Sequence, residues 1–209
     1  MRLIIATPSP FARKARIALL EKAMPHECVI ENPWQSGTAV PNTNPLGKVP
    51  TLILNDAGVI HDSKVIVEYL ETLGAAPQLL PSEAMQRIAH KQIEAIADGI
   101  CDAVVLILLE RSRPAAMQSA DWMERQRRKV VAGTSELARL LGEREWFTPH
   151  GFGLAEIATG CALGYLDLRF PEYDWRAAAP NLRALAERLA TRPSFAKTVP
   201  SAQVIPTTA

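Results

Sequence analysis

The chain has 209 residues, 48% of them apolar and 22% charged, a balance that supplies a globular core and excludes a disordered or fibrous protein. A formal net charge of +1 gives no broad electrostatic pull toward nucleic acid or a membrane surface. Cys28, Cys101 and Cys161 are far apart and form no C-x-x-C pair, and no apolar run reaches the ~18 residues of a membrane span, so a reducing, cytoplasmic setting is expected.

The first third alternates strand and helix. Residues 3–6 read as a buried strand. Residues 11–22 read as a helix with Phe11, Ala15, Ala18 and Leu19 inward, and Arg13, Lys14, Glu21 and Lys22 off that face. Ser9 stands at the N-cap position and Pro10 at the first helical position. Ser9 either only caps this helix or also presents its hydroxyl where free N–H groups and the helix dipole favour an anion. Residues 28–30 suggest a second strand, 32–45 an irregular loop, 50–54 a third strand and 59–61 a fourth, hairpin-paired across a turn at 55–58. Asp62 and Ser63 then cap a helix reaching residue 73. The order β-α-β-loop-β-β-α describes a mixed four-stranded sheet.

A stretch punctuated by Gly and Pro, 76–83, separates residues 1–75 from an all-helical part at 84–201. Helices are expected at 84–113, stopped by Pro114, and at 119–142. The stretch 154–168 is apolar nearly all round and reads as a central, buried helix. Short helices at 180–191 and 193–197 each begin with a proline, and 202–209 is expected to be a flexible tail.

Several chemistries are excluded by spacing. His26, His61, His90 and His150 share no helix face or ligand spacing, so no metal site is expected. There is no phosphate-binding loop, and Gly151-x-Gly153 lacks the third glycine and preceding strand of a dinucleotide fingerprint. The run Arg125-Gln126-Arg127-Arg128-Lys129 spreads over several helix faces and reads as solvated surface. Two stretches carry more. In Asn44-Pro45-Leu46-Gly47-Lys48-Val49-Pro50 a proline enters a strand without a donor for the ladder; were its peptide bond cis, the Val49 N–H and C=O would face outward to an extended ligand. In Asp62-Ser63, a helix start either is capped or holds a carboxylate.

These motifs in this order, with Ser9-Pro10-Phe11-x-Arg13-Lys14-x-Arg16 leading, resemble the N-terminal domain of bacterial glutathione S-transferases of a serine type. Phe152-x-x-x-Ala155-Glu156-Ile157-Ala158 and Arg192-Pro193-Ser194-Phe195 resemble the helical domain of that superfamily. The resemblance implies an α/β thioredoxin-like N-terminal domain (βαβαββα), an all-α helical bundle, and glutathione as co-substrate without a metal. It implies glutathione-binding roles for Ser9, Phe11, Lys48, Val49, Pro50, Asp62 and Ser63. Val49 would pair its backbone with the cysteinyl unit, Asp62 and Ser63 would hold the γ-glutamyl end, and Lys48 would lie near the glycyl end. Ser9 would donate a hydrogen bond to the sulfur, stabilising a thiolate whose free pKa is near 8.5. The helix at 103–113 would form an electrophile pocket, with Leu106, Glu110, Arg111 and Arg113 as candidates. The resemblance also implies a homodimer, packing the 62–73 helix of one subunit on the 84–113 helix of the other.

Gly153 and Glu156 stand where much of the superfamily has a Ser/Thr-x-x-Asp capping box, so the side-chain bond of the cap is missing. Conjugation of glutathione to small electrophiles, a detoxification chemistry, is the expected function. A glutathione-dependent isomerase or dehalogenase and a non-catalytic glutathione-binding module are the alternatives on this fold.

Overall fold

Leu3, Ile4 and Ile5 are all buried, and the strand they form lies inside the sheet rather than at its edge. The computed structural model describes residues 1–203. In it β1 (Arg2–Ile5) pairs parallel with β2 (Glu27–Ile30) and antiparallel with β3 (Thr51–Ile53), which pairs antiparallel with β4 (Val59–His61). The sheet order is β2-β1-β3-β4. The parallel pair needs a crossover, and α1 (Pro10–Glu21) supplies it. After β4 comes α2 (Ser63–Thr72). This is the mixed sheet of a thioredoxin-like domain, with one correction. Between β2 and β3 the βαβαββα pattern has a helix, but here there is only a 3₁₀ turn, Val40–Asn42. Pro33, Pro41 and Pro45 interrupt that segment, each lacking an N–H donor.

The chain divides into two compact units. Among the described residues, the first is Met1–Leu80 together with residues 192–203, and the second is Pro81–Thr191. Residues 192–201, expected with the helical part, therefore pack in the first unit. Glu21, at the end of α1, accepts from Arg192 Nε and Nη2 at 3.0 and 2.7 Å and from the Ser194 hydroxyl. Arg13 lies under the Phe195 ring, 5.3 Å from its centroid, and donates to the Phe195 carbonyl and Thr198 Oγ1. This cover, together with α8 (Pro193–Ala196), explains a second correction: Arg13, expected on the open face of α1, is buried; Lys14, expected on that face too, is also buried. Lys22 is buried as well, its Nζ 2.8 Å from Glu71 and donating to the Ala75 and Pro77 carbonyls. The same Glu71 carboxylate accepts from the N–H groups of Leu79 and Leu80, so the chain through Leu80, expected as part of the linker, is fastened to the first unit. Ser201 is bonded to Thr7, and Gln203 donates to the Glu31 carbonyl, so the expected tail begins as a docked segment; its remainder, 204–209, lies outside the described residues.

The second unit is helical. It comprises α3 (Ala84–Arg111), α4 (Ala120–Leu141), α5 (Leu154–Arg169), α6 (Trp175–Ala178) and α7 (Pro180–Ala190). α6 is too short to show periodicity and was not expected from the sequence. α5 is buried on nearly every side, as its all-round apolar sequence requires. α3 and α4 approach closely at Gly133, where a Cβ would sit 2.7 Å from Ile100 Cγ1. The basic run on α4 is exposed apart from Gln126, as expected of a solvated face.

The start of α5 is where burial and hydrogen bonding conflict. Gly153 has no side chain to cap it. His90, fully buried on α3, takes that role: its Nδ1 accepts from the Ala155 N–H at 3.3 Å. Ala155 is the second residue of the helix, one of the two donors an N-cap side chain ordinarily serves. A backbone N–H can only donate, so the proton sits on Nε2, which donates to Thr148 Oγ1 at 2.8 Å. Glu156 completes the turn, accepting from the Gly153 and Phe147 N–H groups at 2.8 and 2.9 Å. Burial, with the His150 ring nearby, pushes His90 down to about 4. Burial pushes Glu156 up to about 7, against the pull of its N–H partners.

The two groups act oppositely on stability. Neutral His90 contributes stability above its ordinary value near 6.5, and the contribution is lost as pH falls toward about 4. Protonated Glu156 contributes below its ordinary value near 4.5, and the contribution is lost as pH rises through about 7. His90→Asn, which keeps an acceptor but cannot titrate, is expected to cost about 1–2 kcal/mol near neutral pH. Urea unfolding of both proteins across the acid range checks this: the gap between them should narrow as pH falls below 6.5, and a gap independent of pH would contradict the cap.

Candidate functional site

Sheet register brings three separated motifs to one edge. Ile4 on β1 pairs with Thr51 on β3, and Thr51 pairs with His61 on β4. The residues that follow β1, precede β3 and follow β4 therefore emerge side by side. These are the Ser9 loop, Val49-Pro50 and Asp62-Ser63. Two strand spacings separate the first from the last, about 10 Å, which is the reach of about three extended residues.

At the first position Ser9 is the N-cap of α1, and its Oγ accepts from the Ala12 N–H at 3.2 Å. That bond uses an acceptor lone pair and leaves the O–H proton for another acceptor. The rest of the helix start narrows to one donor. Pro10 has no N–H, Ala12 serves Ser9 Oγ, and the Arg13 N–H goes to the Ser9 carbonyl at 3.0 Å. The Phe11 N–H has no partner among the described residues. Phe11 thus matters by its backbone, while its ring is half-exposed.

At the centre the Val49-Pro50 peptide is cis. Pro50 is buried, Val49 is half-exposed, and the ladder begins only at Thr51. Asn44, in the stretch before Val49-Pro50, shapes this loop. It is buried, its Oδ1 accepts from the Leu46 N–H at 3.0 Å, and its Nδ2 donates to the Lys48 carbonyl at 2.8 Å. Gly47 permits the turn with φ of 62°. Lys48 is exposed beside it. An Asn or Asp two residues before a turn was the available signal.

At the far position Asp62 caps α2, its Oδ1 accepting from the Lys64 N–H at 2.9 Å and from the Ser63 hydroxyl at 3.4 Å. Asp62 has φ of 30°, a region that costs a non-glycine residue about 1–3 kcal/mol. Ser63 is buried beneath it, and Asp62 is exposed.

The four residues expected in an electrophile pocket lie in the second unit, and three of them, Glu110, Arg111 and Arg113, have other engagements. Arg113 Nη1 donates to both oxygens of Glu110 at 2.9 and 3.1 Å, and Glu110 accepts from the Ser119 N–H at 2.7 Å. That amide bond and Arg113 hold Glu110 below the usual carboxylate range. The trio ties the end of α3 to the start of α4. Arg111 pairs with Glu172 and lies over the Phe170 ring, 5.5 Å from its centroid. Neither arginine is a free anion anchor, and Leu106 is partly exposed on α3.

An edge with a hydroxyl and an N–H at one end, a stretch of unladdered backbone in the middle and a capped helix start at the other is set on a domain of thioredoxin-like fold. Comparison with known proteins makes this specific. The glutathione S-transferase N-terminal domain family matches residues 8–73, and the glutathione S-transferase C-terminal domain family matches residues 120–188. An uncharacterized GST-like protein of Escherichia coli, YibF, is 40% identical over 200 residues, covering 96% of this chain and 98% of its own length. A solved glutathione S-transferase of Methylobacterium radiotolerans, in complex with glutathione sulfonate, is 51% identical with a TM-score of 0.97, covering 100% of this chain and 98% of that one. A glutathione S-transferase of Methylobacillus flagellatus, with glutathione bound, is 38% identical with a TM-score of 0.92, covering 96% and 99%. The chain belongs to the glutathione S-transferase family.

Proposed function

We propose that the edge formed by Ser9, Val49-Pro50 and Asp62-Ser63 binds glutathione and activates its thiol for transfer to small electrophiles. The observation that carries this reading is the register Ile4–Thr51–His61, which aligns the three motifs over the length of a tripeptide. The Val49 backbone pairs with the cysteinyl unit as a short added strand. The Asp62 carboxylate faces the ammonium of the γ-glutamyl unit, the start of α2 and Ser63 take its carboxylate, and Lys48 lies toward the glycyl carboxylate. The sulfur then comes to the start of α1. There the Ser9 hydroxyl donates to it, the Phe11 N–H adds a second donor, and the helix dipole favours the thiolate. No imidazole or carboxylate is needed, because the thiol ionises within reach of neutral pH once its anion is stabilised. Two of the solved relatives, which carry glutathione or its sulfonate, support the ligand class.

Asp62→Asn separates cap from charge. Asn caps as well as Asp and tolerates a positive φ, so thermal stability should change by under about 0.5 kcal/mol. Removing the charge partner of the ammonium should weaken glutathione binding by about 10–100-fold, from a loss of roughly 1.5–3 kcal/mol. Calorimetric titration with glutathione measures it; unchanged affinity in Asp62→Asn would overturn the placement of the γ-glutamyl end. Assays of glutathione consumption with a general electrophile then distinguish conjugation from chemistry that returns the thiol. The homodimer belongs to the same proposal. Val65 and Leu73 on the α2 side, and Met85 and Ile88 on α3, expose apolar surface that a second copy would cover. Sedimentation should give twice the mass of the 22.9 kDa chain, and Met85→Asp with Ile88→Asp should lower it to that of one chain.

A further inference from the structure

Ser9 stands at the end of a tight turn. Its N–H donates to the Ala6 carbonyl at 3.0 Å, which makes Thr7 and Pro8 the corners between β1 and α1. Pro8, whose peptide bond is not cis, suits neither common turn at that place. A type I turn would put Thr7 in the helical region, which the following proline ring opposes. A type II turn would need a positive φ at the proline itself. Local preference therefore works against the conformation that places Ser9, and the turn draws its hold from outside.

That hold comes from the last of the described residues. From α8 the chain runs back along α1, from its end toward its start. Arg192 and Ser194 meet Glu21, the Lys197 carbonyl accepts from Arg16 at 3.2 Å, and Phe195 and Thr198 meet Arg13. Pro200 favours an extended backbone at Val199, and the chain reaches the turn at Ser201. There the Thr7 hydroxyl donates to the Ser201 carbonyl at 3.1 Å. The Ser201 N–H donates in return to the Thr7 carbonyl at 3.4 Å, the weaker of the pair. Beyond the turn, Gln203 Nε2 donates to the Glu31 carbonyl at 3.2 Å, while the Glu31 N–H donates to the Ile5 carbonyl at 2.8 Å. The segment 199–203 is thus fastened to α1 before the corner and to the end of the sheet after it.

We propose that Thr7 is a positioning residue for Ser9, and that residues 199–203 form the strap through which it acts. The Ser9 hydroxyl meets the sulfur; the Thr7 hydroxyl meets only the strap. A hydrogen bond weakens steeply as its angle and distance depart from the best geometry, and a small misplacement of a catalytic group is costly. Holding the corner at Thr7 keeps the Ser9 hydroxyl aimed at one place. The inference rests on the reading of Ser9 as donor to the thiolate. It adds that a residue 194 positions from Thr7 in sequence sets how much of that donor's effect is realised.

The test uses the full chain as wild type, Thr7→Val, Thr7→Ser and Ser201→Pro. Valine keeps the shape of threonine without the hydroxyl, serine restores the hydroxyl, and proline removes the Ser201 N–H while keeping its carbonyl. The readout is the pKa of bound glutathione, from its ultraviolet thiolate absorbance. Thr7→Val should raise it by about half a unit, roughly threefold in the dissociation constant of the thiol. Thr7→Ser should return it to the wild-type value, and Ser201→Pro should raise it in the same direction by less. Calorimetric affinity for S-methylglutathione, which has no thiol to ionise, should stay within about twofold throughout, since Val49-Pro50 and Asp62-Ser63 are untouched. A lowered wild-type pKa that Thr7→Val leaves in place would overturn this inference and leave the role of Ser9 intact. A wild-type thiol that titrates at its free value would remove the role of Ser9, and this inference with it. Loss of S-methylglutathione affinity in Thr7→Val would show a general collapse of the edge and overturn the positioning role. If Thr7→Val does not fold, Ser201→Pro, in an exposed stretch, decides by the same readout.

Discussion

The antiparallel pairing of β1 with β3 is the constraint on which the candidate site depends. Leu3, Ile5 and Leu52 are buried on one face of the sheet, and because side chains alternate across a strand, a slip of one residue between β1 and β3 would put Leu52 on the face opposite Leu3 and Ile5. Their burial therefore fixes the register, and the register fixes where three chain ends come out. Ser9, Val49 and Asp62 are 53 residues apart at their extremes in sequence, yet Thr51 pairs with Ile4 on one side and His61 on the other. The site is thus a product of core packing, and the polar groups along it inherit their spacing from the sheet.

α1 is the second element on which much rests. It carries Ser9 at its start and Glu21 at its end. It is clasped from outside by residues more than 170 positions later: Arg192 and Ser194 on Glu21, Phe195 over Arg13. The same segment continues to the loop before Ser9, where the Thr7 hydroxyl donates to the Ser201 carbonyl at 3.1 Å. The last helix of the chain is therefore part of the mechanical support of the first domain. This gives a physical reason for the Arg192-Pro193-Ser194-Phe195 motif: the arginine and serine bind a carboxylate on α1, and the phenylalanine covers an arginine on it.

Strands, caps and the central helix were legible in the sequence because each rests on local chemistry. Ser9 and Pro10 mark a helix start wherever they occur together, and the all-apolar stretch of α5 can only be buried. What escaped notice was tertiary. Periodicity assigned Arg13, Lys14 and Lys22 to an open face, since nothing local shows that a distant segment or Glu71 will cover them. His90 has no metal-ligand spacing to mark it in the sequence, yet it supplies the acceptor that Gly153 lacks, across 65 residues of sequence. Arg111 and Arg113 looked like substrate anchors because their carboxylate partners, Glu172 and Glu110, are recognisable only once α3 is folded. In the candidate site the residues themselves were legible, and what the structure adds is their alignment and the reduction of the helix start to the Phe11 N–H, which has no partner among the described residues.

The central claim is that the start of α1 stabilises a thiolate through one hydroxyl and one amide. It is tested most directly by the ultraviolet thiolate absorbance of bound glutathione, titrated with pH in wild type and Ser9→Ala. The account predicts a bound pKa below the free value by about two units in wild type, from roughly 3 kcal/mol of differential stabilisation. In Ser9→Ala that lowering should shrink by about half, the remainder coming from Phe11 N–H and the helix dipole. A bound thiol that titrates at its free value in wild type, or a lowering that Ser9→Ala leaves untouched, would contradict it.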